Sequence, residues 1–214
     1  MHITKFGHSC LFIEEDNVRI LIDPGTWSED VSKLDAIDAL FLSHEHQDHT
    51  DPERIKILLA NNAELKIFTN PGVGKILTDN TIAWNVFVHG QTQNINGVMV
   101  EAFGEKHASI YPSYPAESVH NTGFLIDGRL WYPGDSLTEP NRPVEILALP
   151  VCAPWLKMAE ALDYAQAINP KVCFPVHDGM LKHTGPFHRL PKAVLEPLGI
   201  QFLIPEVGVS FDMS

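Results

Sequence analysis

Three imidazoles and a carboxylate, His44, His46, Asp48 and His49, fall within six consecutive positions in the order His-x-His-x-Asp-His. These are the nitrogen and oxygen donors that Zn²⁺ and its first-row neighbours take, and packing offers no reason to crowd them together. Just before them, Ala39-Leu40-Phe41-Leu42 is a short apolar run that reads as a buried strand. Just after them, Asp51-Pro52-Glu53 supplies an N-cap and a proline for the first turn of a helix. The motif therefore belongs on a strand-to-helix loop. At a strand mouth His44 and His46 can turn toward one cation, while Asp48 and His49 can reach a second a few ångströms away, as in two-metal hydrolytic centres. One loop begins two coordination spheres and completes neither. A solvated histidine-rich loop is the bland alternative; the strand and helix that bound the stretch argue against it.

Further donors stand where later apolar runs end. His107 follows the run at 98–103 and offers a third nitrogen to the cation begun by His44 and His46. Asp135 lies in Pro133-Gly134-Asp135-Ser136, where glycine lets backbone approach closely, and is expected to bridge two ions. His177 ends the run at 172–176 and would close the second ion with Asp48, His49 and Asp135, a water or hydroxide lying between the metals. His8, in the turn Gly7-His8-Ser9, and His120, before the strand at 124–127, are candidates for substrate contact. Asp23 has two readings: an acceptor that orients a ligand-bearing loop, or a cap for the turn at Pro24-Gly25. Lys182, His183, His188 and Arg189 crowd a Gly-Pro loop and read as surface residues ahead of an anion grip.

The elements that must position these donors are short. Strands are expected at 3–6, 10–13, 18–22, 39–42, 65–69, 86–88, 98–103, 124–127, 130–132, 145–151, 172–176, 200–204 and 207–211. Helices are expected at 52–60, 71–77, 157–168 and 191–198. Residues 90–97 are polar and read as a turn, and 109–118, with Tyr111 and Tyr114, as a surface loop that walls the pocket, covers it as a lid or only covers the core. Strands alternating with helices imply parallel pairing and an α/β class. With 214 residues and nothing resembling a linker, one domain over 1–214 is expected.

Bulk composition narrows the partners. A formal charge of −12 disfavours nucleic-acid binding through a basic face, yet leaves room for an anionic small molecule, since two cations would dominate the field of a pocket. Cys10, Cys152 and Cys173 are odd in number and form no Cys-x-x-Cys, so neither a disulfide framework nor a thiolate zinc site is indicated. No apolar run is long enough to span a bilayer and the N-terminus has no signal-peptide pattern, so the expectation is a cytoplasmic protein without a membrane partner. A small-molecule substrate is the expected partner, and a homo-oligomer is compatible with the chain.

The order of Ser43-His44-Glu45-His46-Gln47-Asp48-His49, His107, Asp135 in Pro-Gly-Asp-Ser and His177 in Pro-Val-His-Asp-Gly resembles the metallo-β-lactamase superfamily over nearly the whole chain. Phe6-Gly7-His8-Ser9-Cys10 and the tract from Leu149-Pro150-Val151 to Pro175-Val176-His177 resemble the branch of ascorbate-6-phosphate lactonase. The resemblance implies an αββα four-layer sandwich, two facing mixed sheets with helices outside and metals at one edge. One metal would take His44, His46 and His107, the other Asp48, His49 and His177, with Asp135 between them. It also places Cys152 near the metals, where a small buried residue is the plainer reading. Superfamily members with a di-iron oxygen centre tend to carry Glu where this chain has His46, which disfavours that chemistry.

The function implied is a binuclear hydrolase, with Zn²⁺ first and Mn²⁺ or Fe²⁺ as alternatives, acting on a small ester, lactone or related carbonyl compound through a metal-bridging hydroxide. Asp48 and His177 are its expected catalytic residues. Two rivals stand beside it: a phosphodiesterase, with Lys182, Arg189 and Arg142 as the available phosphate grips, and a metal-binding module without catalysis.

Overall fold

A computed structural model describes residues 1–112, 114 and 119–213. In its first half, strands β1 (His2–Lys5), β2 (Leu11–Glu15), β3 (Val18–Ile22) and β4 (Ala39–Leu42) lead into helix α1 (Pro52–Asn61), then β5 (Lys66–Thr69), α2 (Pro71–Asp79) and β6 (Asn85–Val86). Next come β7 (Thr92–Ile95), β8 (Val98–Phe103), β9 (Gly123–Ile126), β10 (Leu130–Tyr132), β11 (Ile146–Pro150), α3 (Met158–Ile168), β12 (Val172–Val176), α4 (Gly185–Leu195), β13 (Gln201–Phe202) and β14 (Ser210–Asp212). Two seven-stranded sheets result, ordered β14-β1-β2-β3-β4-β5-β6 and β13-β12-β11-β10-β9-β8-β7. Each is mixed. β3, β4, β5 and β6 run parallel in the first, and β10, β11, β12 and β13 in the second, while the meanders β1-β2-β3 and β7-β8-β9-β10 are antiparallel.

Strands β4, β10, β11 and β12 are apolar on both faces, and their period of two sorts side chains between layers. On β4, Ala39 and Phe41 enter the core between the sheets while Leu40 and Leu42 turn outward to Ile55 and Leu58 of α1 and Val73 and Leu77 of α2. On β11, Ile146 and Ala148 face inward, and Leu147 and Leu149 pack outward against Ala161 and Ala165 of α3. Phe41 joins the sheets directly, with ring centroids 5.1 Å from Phe68 and 5.3 Å from Phe124. The order helix, sheet, sheet, helix is the expected αββα sandwich.

Caps aim the helices at the metal loop. Asp51 accepts from the Glu53 and Arg54 amides and starts α1, with Pro52 in its first turn. Asn70 accepts from the Gly72 and Val73 amides to start α2, and its Nδ2 donates to the Ser43 carbonyl at 2.7 Å, tying that helix end to the histidine loop.

Four elements differ most from the reading by sequence. Residues 92–95 are a strand and not part of a turn; β7 is an edge strand paired only with β8, and its mostly polar, solvent-facing side chains leave no apolar signal. Helix α4 starts at Gly185, with Pro186 in its first turn, and carries Pro191 in its interior, so the first proline and not the second marks its start. The last two strands are shorter than expected, three residues or fewer each. Of the expected loop at 109–118, residues 113 and 115–118 lie outside the described residues; Tyr111 and Tyr114 are exposed and stand off the cleft. Among the described residues no helix is long and apolar enough to cross a membrane.

Candidate metal centre

The loops that leave β3, β4, β8, β10 and β12 meet at one edge of the two sheets. They bring His44, His46, Asp48, His49, His107, Asp135 and His177 together, although these span more than half of the sequence. The ligand atoms form two clusters, each with its members within 4.8 Å: His44, His46, His107 and Asp135 in one, and His8, Asp48, His49 and His177 in the other. Asp135 reaches across. Its Oδ1 is 3.2 Å from His49 Nε2, and its Oδ2 is 2.9 Å from His177 Nε2 and 3.3 Å from His107 Nε2.

Hydrogen bonds behind the rings decide which nitrogen faces inward. His49 Nδ1 donates to Asp23 Oδ2 at 2.7 Å, His107 Nδ1 to the Ala108 carbonyl at 2.6 Å, and His177 Nδ1 to the Cys152 carbonyl at 2.6 Å. Ser43 Oγ gives its own proton to Asp23, so it accepts from His44 Nδ1 at 2.9 Å. Each of these rings has spent its one neutral-form proton on the outer side, leaving a lone pair on Nε2. The four Nε2 atoms and Asp135 Oδ1 are buried with no hydrogen-bond partner. Buried lone pairs aimed at one another are unfavourable unless a proton or a metal cation lies between them, and this nitrogen and oxygen donor set fits divalent metal ions.

Titration follows the same logic. Burial and the neighbouring His49 push His44 well below the usual imidazole range, so its Nε2 is bare at neutral pH. Burial opposes charge on Asp135, yet His177, His49 and His44 outweigh it and hold the carboxyl well below the usual carboxylate range. Burial also opposes a proton on His49, but Asp135 and Asp23 raise it to about 10, so in the metal-free chain a proton at His49 partly offsets the nearby carboxylates. Asp48 is held at about 2, burial being outweighed by the hydrogen bond from His8.

Asp23 resolves in favour of the orienting role. Fully buried, it accepts from the Ser43 amide at 2.8 Å, Ser43 Oγ, His49 Nδ1 and Tyr132 OH at 2.7 Å. Two glycines let the loops close this tightly. A Cβ on Gly25 would lie 2.0 Å from the Asp48 carbonyl, and Gly134, at φ +64°, has the Asn121 side chain 2.4 Å from where its Cβ would be.

Other expected residues lie elsewhere. His8 is fully buried behind Asp48 and has no face toward a substrate. His120 is exposed and lines a separate cavity of about 390 Å³ beside Asn70, Pro71 and Lys106. Cys152 contributes its carbonyl to His177, while burial pushes its thiol up. Lys182, His183 and Arg189 are on the surface, but His188 is not a free surface residue: its Nε2 is 2.8 Å from Asp178, which Lys5 holds from the other side at 2.6 Å. Sequence reasoning missed Trp155, whose indole N–H donates to Asp135 Oδ2 at 2.9 Å, as well as Ser43 and Tyr132. Trp155 carries no signal beyond standing a few residues past a strand end. The cleft over the donors is about 260 Å³, walled by Trp27, Ile110, Pro154, Trp155 and Met180.

A four-layer sandwich with histidine and aspartate donors gathered at one sheet edge defines a metal-dependent hydrolase of the metallo-β-lactamase fold. The chain belongs to the β-lactamase superfamily: the family profile described as "Beta-lactamase superfamily domain" matches residues 2–177. It is 34% identical over 186 residues to Protein Rv0786c of Mycobacterium tuberculosis, covering 85% of each chain. A UPF0173 metal-dependent hydrolase of Staphylococcus carnosus is 23% identical over 236 residues, covering 99% of this chain and 100% of the relative. Among solved structures, Igni18, a metallo hydrolase of Ignicoccus hospitalis, shares the fold with a TM-score of 0.75 at 20% identity, over 100% of this chain and 99% of that one.

Proposed function

We propose that this hydrolase holds two divalent cations, Zn²⁺ before Mn²⁺ or Fe²⁺, and opens a small ester, lactone or related carbonyl substrate. His44, His46 and His107 would hold one cation, Asp48, His49 and His177 the other, with Asp135 between them. The observation that carries this reading is the convergence of four buried histidine Nε2 atoms on one carboxylate. When bound, such cations supply Lewis acidity and draw the pKa of water down toward about 7.

The chain's own residues do the rest. Asp48, ionised across the neutral range, accepts a hydrogen bond from the attacking water and can take its proton. Trp155 restrains Asp135 through its indole N–H, and Trp27, Ile110 and Met180 give the cleft apolar walls for the carbon skeleton of a substrate. His177 acts by holding the second cation.

The cleft favours carbon over phosphorus. Among the described residues that line it there is no lysine or arginine, while Arg142 is paired with Glu101 at 2.9 Å and Lys182 and Arg189 lie outside the lining. A phosphodiester would meet no side-chain cation. The Phe6-Gly7-His8-Ser9-Cys10 opening supports a lactonase-like branch. Three unpaired cysteines suit a reducing compartment, and we place the protein in the cytoplasm.

A screen of esters, lactones and thioesters against bis-p-nitrophenyl phosphate tests this. Metal-dependent opening of a carbonyl substrate, abolished in Asp135→Ala, is the expected result. Faster phosphodiester cleavage would move the assignment to phosphorus, and two bound metals with no turnover of any class would leave a binding module.

A further inference from the structure

His8 lies in the turn between β1 and β2, with a left-handed backbone at φ 33° and no exposed surface. Its Nε2 falls in the same cluster as the donor atoms of Asp48, His49 and His177, so by distance it is a fourth ligand for the second cation. Its other nitrogen argues otherwise. Nδ1 accepts a hydrogen bond from the Gly179 amide at 3.1 Å and must carry a lone pair. A neutral ring then bears its proton on Nε2, which is 3.0 Å from Asp48 Oδ2. This is the reverse of His44, His49, His107 and His177, whose protons all sit on Nδ1.

We propose that His8 is a positioning residue and not a metal ligand: its Nε2–H holds the Asp48 carboxylate against the second cation site, from a turn anchored to the loop that carries His177. This deepens the two-cation reading and rests on it. The anchoring is mutual. The His177 amide donates to the His8 carbonyl at 3.0 Å, and the two rings lie 4.2 Å apart. Gly179 leaves room for the ring, since a Cβ there would fall 2.8 Å from His8 Cβ. Trp27 closes the outer side edge-on at 5.0 Å. Asp48 is the most exposed of the second cluster, at 14% of its side chain, and among the described residues its carboxylate has no other hydrogen-bond partner. Without His8 the carboxylate is free to turn into the cleft.

The test is a set of substitutions read by zinc binding and by ring ¹⁵N spectra of the full chain. His8→Gln returns an N–H near the Nε2 position. His8→Asn keeps an acceptor for the Gly179 amide, tolerates the left-handed backbone and removes the donor to Asp48. His8→Ala removes both. We expect every variant to take up two zinc equivalents at saturation, with the weaker Kd raised about ten- to hundredfold in Asn and Ala, the scale for groups that orient ligands, and largely restored in Gln. In the zinc-loaded wild type, the His8 ring should be protonated at Nε2 and those of His44, His49, His107 and His177 at Nδ1. Saturation of Gln and Ala at one equivalent, a His8 proton on Nδ1, or an unchanged Kd in Asn would each overturn the proposal. A wild-type chain that takes up fewer than two equivalents would overturn the two-cation reading itself, before any variant is made.

Discussion

Replacing Asp23 by Asn removes one negative charge and puts an amide NH₂ where a carboxylate oxygen now accepts. Oδ2 receives His49 Nδ1–H, Ser43 Oγ–H and Tyr132 O–H, and Oδ1 receives the Ser43 amide. Turned one way, the new NH₂ faces the Ser43 amide and leaves both donors unpaired, at about 1–3 kcal/mol each. Turned the other way, it faces three donors and costs more, so the first orientation prevails. The three remaining bonds then end on a neutral oxygen and each loses up to about 1 kcal/mol of charge assistance. The sum is about 2–9 kcal/mol. The alternative relief is for the His49 ring to move its proton to Nε2, which blocks the cation site. Urea unfolding in chelator should show the stability loss, and zinc titration a ten- to hundredfold weaker affinity. Asp23→Asn within about 0.5 kcal/mol of wild type and with unchanged zinc affinity would refute the orienting role and leave Asp23 a turn cap.

Gly25→Ala should displace the Asp48 loop, because the added carbon would lie 2.0 Å from backbone that cannot rotate away; a weakened second zinc equivalent by calorimetry, with the first retained, is the expected result. Zinc binding at pH 8 should release a proton. His49 is raised to about 10 in the metal-free chain, so it is protonated there and must deprotonate to coordinate; calorimetry in two buffers of different ionisation enthalpy would expose the release, which should fade as pH rises through about 10. Phe41→Ala opens the core between the sheets at a ring packed on Phe68, Phe87 and Phe124, and should cost about 3–5 kcal/mol in urea unfolding while zinc stoichiometry stays at its wild-type value.

The local sequence was enough to mark the residues that the fold brings together as candidate donors. His44, His46, Asp48 and His49 lie side by side, and His107, Asp135 and His177 each follow an apolar run that only a buried strand explains, so residue type and strand end together pointed to one sheet edge. The two-sheet layout came from resemblance, since strand and helix periodicity reports which residues are buried but not which sheet they join. Polar edge strand β7 was illegible because it buries almost nothing.

What the chain alone left open is how each donor is held. Asp23 read equally as a cap or an acceptor until Tyr132, 109 positions away, proved to donate to it. His8 read as a substrate contact until Asp48 and Gly179, the latter 171 positions on, took its two nitrogens in opposite senses. A histidine's tautomer is set by the partner of its second nitrogen; for His8, His49 and His177 that partner comes from elsewhere in the fold, while His44 and His107 use the residue next to them. Ligand type is thus written in single residues, while ligand readiness is decided by hydrogen bonds between loops that only the closed sandwich brings into contact.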